Sequence, residues 1–334
     1  MYCNQCQEAL NNTACTVNGV CGKRESTANL EDLLTYVSKG ISLVCEAADE
    51  VAPETGLRLF EDLFTCVTNV TFDDEDLIKR VEDSLEMRDA LKEKHGITGE
   101  GMHGSVNWAP VNREALQAKA YAVSLGESDN GDIRSLRELL IYGLRGVGAY
   151  GEHAKVLGYE DPELHKTVAM LLASTTKDLE VPEMIANVMK AGETAVTTMA
   201  LLDKANTETY GAPEISTVNI GVSDKPGILI SGHDLKDMEM LLEQTKGTGV
   251  DVYTHGEMLP AHYYPKFKGH DHFIGNYGNA WWDQNNDFES FNGVILMTTN
   301  CIVKPKASYQ DRIHTTGMVR FTGVNHIDAD ENGQ

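Results

Sequence analysis

Four cysteines fall within the first 21 residues, spaced Cys3-x2-Cys6-x8-Cys15-x5-Cys21, and the whole chain has only seven. Thiolates at such short spacings can converge on one metal centre, and four of them complete the shell of an iron–sulfur cubane or a tetrahedral zinc ion. Two disulfides are the rival arrangement. Only Met1 and Tyr2 precede Cys3, so no apolar signal segment is read here, and a cytoplasmic, reduced setting is expected in which metal is favoured over disulfides. A second set lies far downstream. The run Ile228 to His233 ends in an imidazole, Val252 to Glu257 ends in a carboxylate with His255 beside it, and Val294 to Cys301 ends in a thiol. One His, one Glu and one Cys brought together make a mixed, redox-capable site unlike a structural zinc site.

Each residue also has an ordinary reading. His233 can simply precede a helix start at Asp234, Glu257 can favour the positive end of a following helix, and Cys301 can be a small buried hydrophobe. Cys45 and Cys66 lie in apolar helical stripes and read as core. Gly146-x-Gly148-x-x-Gly151 matches a dinucleotide fingerprint in letters, but it follows a helical pattern where that fingerprint needs a strand, so close helix contact is expected instead. His262, His270 and His272 sit in a segment rich in Tyr and Pro and read as structural.

The elements that must position these groups fall into two regions. From residue 27 to about 210 the apolar spacing is helical, as in Leu30, Leu33, Leu34, Val37, Ile41, Val44 and Ala48. Phe60, Leu63, Phe64 and Val67 repeat it, and a third helix opens near Asp73 and closes at Gly96. Further helices are expected from Asn112, near Asp132, at Asp161-Pro162 and at Pro182. Past Tyr210-Gly211-Ala212-Pro213 the pattern changes to β-branched runs at Val218–Val222, Gly227–Ile230, Val250–Tyr253 and Gly293–Met297, with a helix from Leu235 to Gln244. Strand, helix, strand implies right-handed crossovers and a parallel sheet. The fold class is therefore α + α/β: a cysteine arm over 1–25, an all-helical bundle over 26–212, and an incomplete Rossmann-like α/β domain over 213–334, with the boundary between Thr207 and Ser216. In open parallel sheets ligands bind outside the carboxyl ends of the strands, where His233, Glu257 and Cys301 would lie.

Composition narrows the function classes. With 28 basic and 51 acidic residues, a formal charge of −23 and no Lys/Arg run, a nucleic-acid footprint is not expected. The acidity argues against anionic membranes, and no stretch approaches a transmembrane span.

Met1-Tyr2-Cys3-Asn4-Gln5-Cys6-Gln7-Glu8, the Cys15 and Cys21 spacing, Ser231-Gly232-His233-Asp234, His255-Gly256-Glu257-Met258-Leu259-Pro260-Ala261-His262 and Thr299-Asn300-Cys301 together resemble the hybrid cluster protein family, also called prismane proteins or hydroxylamine reductases. The resemblance runs over the whole chain. It implies a [4Fe-4S] cubane on Cys3, Cys6, Cys15 and Cys21, and a hybrid [4Fe-2O-2S] cluster with His233, Glu257 and Cys301 among its ligands. The implied fold is a helical domain followed by two α/β domains, related to carbon monoxide dehydrogenases. The implied activity is reduction of hydroxylamine to ammonia and water, or of nitric oxide to nitrous oxide, with electrons from a flavoprotein or ferredoxin-like donor. Family members are longer and supply further cysteines, one as a persulfide, and another glutamate. This sequence has no cysteine after Cys301, so a truncated member without the third domain, inactive as it stands, is expected. Two other classes stay open. One is a non-catalytic electron-transfer or nitrosative-stress sensing protein that exchanges a nitrosyl group. The other is a structural zinc protein built on the four N-terminal cysteines.

Overall fold

The computed structural model describes residues 1–6 and 8–328; the polar tail through Gln334 lies outside the described residues. The chain divides into two compact units. The first comprises 1–67, 73–155 and 159–202. The second comprises 68–72, 156–158 and 203–334.

The elements are α1 (Glu25–Ala48), α2 (Pro53–Thr65), β1 (Thr71–Phe72), α3 (Asp74–His95), α4 (Arg113–Ala122), α5 (Gly131–Val156), α6 (Pro162–Ser174), α7 (Val181–Tyr210), β2 (Gly227–Ser231), α8 (Leu235–Thr245), β3 (Asp251–His255), β4 (Phe273–Asn276), α9 (Gln284–Ser290), β5 (Val294–Met297), β6 (Ile313–Thr316), β7 (Arg320–Phe321) and β8 (Asn325–Ile327). Helix starts follow their caps. The side chains of Asp73, Asn112 and Asp161 accept backbone N–H bonds from the first turns of α3, α4 and α6, satisfying donors a helix cannot satisfy itself. Asn130 does the same for α5, and Gly96 closes α3 at φ +64°, a left-handed position that suits glycine.

In the first unit α1 packs on α3 and α6, and α2 packs on α6. The α1 stripe serves two apolar clusters. Leu30, Leu33, Leu34 and Val37 meet Leu77, Val81 and Leu116, while Ile41 and Cys45 meet Phe60, Leu63, Leu144 and Leu172. Gly148 and Gly151 of α5 lie against α2. A Cβ at Gly148 would stand 2.8 Å from the Phe60 carbonyl oxygen, and one at Gly151 would stand 2.2 Å from the Phe60 ring, whereas Gly146 has nothing within 4 Å. Gly151→Ala is accordingly expected to destabilise by about 1–3 kcal/mol through overpacking. Gly146→Ala is expected to stabilise by up to about 1 kcal/mol through helix propensity. Urea-unfolding midpoints of the two variants check this, and a stabilising Gly151→Ala would disprove the close contact.

The second unit holds a six-stranded parallel sheet in the order β4-β3-β2-β5-β6-β8, together with the parallel pair β1–β7. Numbered within the sheet, that is 3-2-1-4-5-6, the doubly wound Rossmann order. Ile230 and Val252 pack with Met238 and Leu242 of α8, Tyr210, Met258 and Phe267. No strand forms at the β-branched run Val218–Val222. Ile220 and Val222 are 84% and 62% exposed, and the Asn219 carbonyl accepts a bond from Asn276 N–H at 2.9 Å. Branching alone does not make a strand where neither face has anything to bury against. Conversely β6 and β8 lie in short, polar stretches that carry little strand signal. Among the described residues no helix is long and apolar enough to cross a membrane.

His262 lies in this unit, stacked on Phe273 at 4.0 Å with Nε2 2.9 Å from Thr254 Oγ1. Burial pushes its pKa from 6.5 down to about 4, against a weaker opposing pull from the Gly275 backbone. Its contribution to stability is thus full above pH 6.5 and is lost as pH falls towards 4, because the unfolded chain takes up a proton that the folded chain refuses. Unfolding midpoints across that window should fall less steeply in His262→Gln than in the parent; equal slopes would count against the assignment.

Candidate metal centres

The cysteine arm belongs to the first unit and is shaped by turns. Cys3 and Cys15 face each other across an antiparallel bridge, with N–H to carbonyl distances of 3.0 and 2.8 Å. Between them the chain reverses through Asn11 and Asn12, both at positive φ, which asparagine tolerates better than most residues. Gly19 N–H donates to the Lys23 carbonyl and Gly22 N–H to the Gly19 carbonyl, folding Cys21 back. A Cβ on Gly19 would stand 2.9 Å from Cys21 Sγ, so the backbone there hugs the sulfur. Cys15 is buried, and Cys3, Cys6 and Cys21 are partly buried.

The donor set fits an iron–sulfur group. Among the described residues no three of these sulfurs lie within 4.8 Å of one another, whereas four thiolates on one zinc at about 2.3 Å would sit about 3.8 Å apart. Four thiols on one short arm are the donor type that iron–sulfur clusters take. Burial pushes the Cys3 thiol up to about 11, against a Gln5 backbone N–H that favours its thiolate. Burial likewise raises Cys21, against the Lys23 backbone N–H. N–H groups already aimed at sulfur are the contacts that cluster thiolates use. Loading such thiols releases protons.

Cys66 is fully buried, with its thiol 3.3 Å from the Glu31 carbonyl oxygen that accepts from it. Burial pushes Cys66 up to about 12 and Cys45 to about 11. Both sit in packed interior.

In the second unit, His233 lies two residues beyond β2, Glu257 two beyond β3, and Cys301 four beyond β5. These are three adjacent strands, in the order β3-β2-β5, with Ser231 paired to both His255 and Met297. The strand order reverses between β2 and β5, so His233 and Cys301 flank the switch point where doubly wound sheets bind ligands. Gly232, at φ +111°, permits this. A Cβ there would stand 2.4 Å from Thr298 Oγ1 and 2.6 Å from Thr299 N.

The ring of His233 is held by Thr299. The hydroxyl accepts from the His233 backbone N–H at 2.8 Å, lies 2.9 Å from Nδ1, and donates to the Asn300 carbonyl at 3.1 Å. With its proton committed to Asn300, Thr299 Oγ1 accepts from Nδ1–H, which fixes the tautomer and orientation of the ring. Cys301 is framed in the same manner. Gln284 Nε2 donates to the Cys301 carbonyl at 2.8 Å, while its Oε1 accepts from Val303 N–H at 3.0 Å. Glu257 is exposed at the start of the short turn Gly256–Tyr263. Among the described residues the ligand atoms of His233, Glu257 and Cys301 do not all three lie within 4.8 Å of one another.

His255 is fully buried and both ring nitrogens are engaged, Nδ1 with Ser231 Oγ at 3.0 Å and Nε2 with Asp287 Oδ2 at 3.1 Å. Burial lowers its pKa, against the pull of Asp287. The neutral ring donates from Nε2 to the carboxylate and accepts the serine hydroxyl at Nδ1, which joins β2 and β3 two residues before His233 and Glu257. His255 is therefore a brace between strand ends. Sequence patterns carry no sign of Thr299, Gln284, Ser231 or Asp287 in these roles, because each partner is 17 to 66 residues away.

Comparison with known proteins places the chain in a family. A family model described as the prismane/CO dehydrogenase family matches residues 1–334. A hydroxylamine reductase from Desulfosudis oleivorans is 56% identical over 98% of this chain and 61% of its own length. One from Clostridium novyi is 52% identical over 100% and 62%, and one from Halothermothrix orenii 53% over 98% and 61%. The chain thus spans about three-fifths of the length of these curated relatives. A match across every residue, with relatives 52% and 56% identical over 98% or more of the chain, leads to one assignment: the chain belongs to the prismane/CO dehydrogenase family.

Proposed function

We propose that this chain forms part of an iron–sulfur oxidoreductase that reduces hydroxylamine. The observation that carries the reading is the set His233, Glu257 and Cys301 beyond three neighbouring strand ends, in a chain whose relatives are named hydroxylamine reductase. Cys3, Cys6, Cys15 and Cys21 would hold a [4Fe-4S] cubane. His233, Glu257 and Cys301 would contribute to a hybrid [4Fe-2O-2S] group, which when bound would supply electrons and an open iron position to a small N–O substrate. The reaction takes up two electrons and two protons, cleaves the N–O bond and yields ammonia and water. The chain's own residues do the positioning. Thr299 fixes the imidazole of His233 in one tautomer, Gln284 holds the backbone on both sides of Ile302, and the Ser231–His255–Asp287 relay keeps two strand ends in register. A flavoprotein or ferredoxin-like protein would be the electron donor.

The test is hydroxylamine-dependent oxidation of reduced viologen under anaerobic conditions, with ammonia measured, on this chain continued to the length of its relatives. Ammonia at one per two viologens oxidised supports the reading. Nitrous oxide from nitric oxide with no hydroxylamine turnover would move the activity to nitric oxide reduction. Nitrosyl transfer to a second protein with neither turnover would favour the sensing role.

A further inference from the structure

Behind the cysteine arm lies a pair of charges that the reaction does not use. Lys23 and Glu31 form an ion pair with each side chain only 2% exposed. Lys23 follows Cys21 by two residues, and a Cβ on Gly19 would stand 2.9 Å from the Cys21 sulfur and 3.0 Å from the Lys23 Cβ. Its ammonium lies within Coulombic reach of both Cys3 and Cys21. Glu31 is on α1, one residue before Asp32 and one turn before Thr35, and Arg145 of α5 faces this stretch. Arg145 Nη2 donates to Thr35 Oγ1 at 3.1 Å and lies 3.9 Å from Asp32. Burial raises the Glu31 carboxyl above its usual range, against the pull of Lys23 first and of Arg145 next. Lys23, Glu31, Asp32 and Arg145 thus sit together under the arm, with burial pushing the Asp32 carboxyl up to about 7, and Lys23 is the cation beside the sulfurs.

Burying an ion pair rarely improves stability over an apolar pair of the same size, because both ions lose water. A charge held dry beside a redox centre, however, acts at low dielectric and shifts the balance between charge states. A cubane on four thiolates is anionic and gains one more negative charge on reduction. A fixed cation favours that electron and a fixed anion opposes it.

We propose that Lys23 and Glu31 set the reduction potential of the centre on Cys3, Cys6, Cys15 and Cys21 in opposite senses, with Lys23 favouring the reduced form. The inference rests on the reading that these four thiolates hold a cubane. The step is a one-electron transfer to that centre from a reduced flavoprotein or ferredoxin-like donor, with no bond made or broken. Both residues act through charge, and neither touches the substrate.

The experiment is an anaerobic redox titration of the 334-residue chain, followed by electron paramagnetic resonance of the reduced cluster. It compares the parent with Glu31→Gln, Lys23→Met, Lys23→Arg and the double variant Lys23→Met/Glu31→Gln. Glu31→Gln is expected to titrate higher and Lys23→Met lower. Each should change the ratio of reduced to oxidised protein at a fixed poise by about tenfold, which is about 59 mV for a one-electron couple. Lys23→Arg keeps the charge and should titrate with the parent, and the double variant should fall between the two single ones. A purely structural role would admit water and move both single variants the same way. Shifts of one sign, or none, in variants that keep about four irons per chain overturn the proposal. Should Lys23→Met fail to fold, Glu31→Gln and Lys23→Arg still decide it, since a higher potential in the first and an unmoved one in the second are both required. A parent chain without iron or sulfide overturns the cubane reading itself, a failure distinct from the failure of the charge effect.

Discussion

Cys6→Ser is expected to abolish the visible absorbance of anaerobically isolated protein, whereas Cys66→Ser should retain it. All four N-terminal thiols come from one arm of 21 residues, so removing one leaves the remaining three unable to complete a tetrathiolate shell. Serine is a poorer ligand for iron than thiolate, and three sulfurs would hold a partial, labile cluster at best. Iron and acid-labile sulfide should therefore drop from about four each per chain towards zero. Cys66 is surrounded by protein, with Thr35 Oγ1 at 3.7 Å and the Glu31 carbonyl at 3.3 Å, and its replacement should cost about 1–3 kcal/mol of stability without loss of iron. Equal loss of iron from both variants would defeat the distinction between ligand and core cysteine.

At the other centre, His233→Ala in a chain of the relatives' length should remove hydroxylamine turnover, and Thr299→Val should lower it by about 10- to 100-fold. The valine is close in shape to threonine but cannot accept from Nδ1–H, so the imidazole loses both its tautomer preference and its orientation. Thr299→Ser restores the hydroxyl and should recover most of the rate. Iron content and steady-state rates for the three variants check this together. Full activity in Thr299→Val would mean that the ring does not depend on the hydroxyl, and full activity in His233→Ala would remove the histidine from the site altogether.

How much of this was legible beforehand follows from distance along the chain. The arm of cysteines is local, so spacing alone points to it. The helices from α1 to α6 announce themselves by apolar periodicity and by caps such as Asp73 and Asp161. The three strands that carry His233, Glu257 and Cys301 are short apolar runs, and their ends are visible. What sequence could not provide was the order of the strands. Thr299 reaches His233 over 66 residues only because β5 lies next to β2, and Asp287 reaches His255 from a helix with a weak pattern of its own. Strands β6 and β8 are too short and polar to stand out, while Val218–Val222 looks like a strand and stays exposed. Local rules point to the candidate ligands; the contacts that orient them come from topology.

Strand β1 has a consequence for how the molecule is made. Thr71 and Phe72 pair with Arg320 and Phe321, and the Thr322 hydroxyl donates to the Phe72 carbonyl across 250 residues of chain. At about 5–20 residues per second, a ribosome would deliver the second partner roughly 12–50 s after the first. During that interval residues 68–72, which belong to the second unit, have no mates and must be kept from pairing elsewhere. Synthesis of the helical unit therefore leaves one strand waiting.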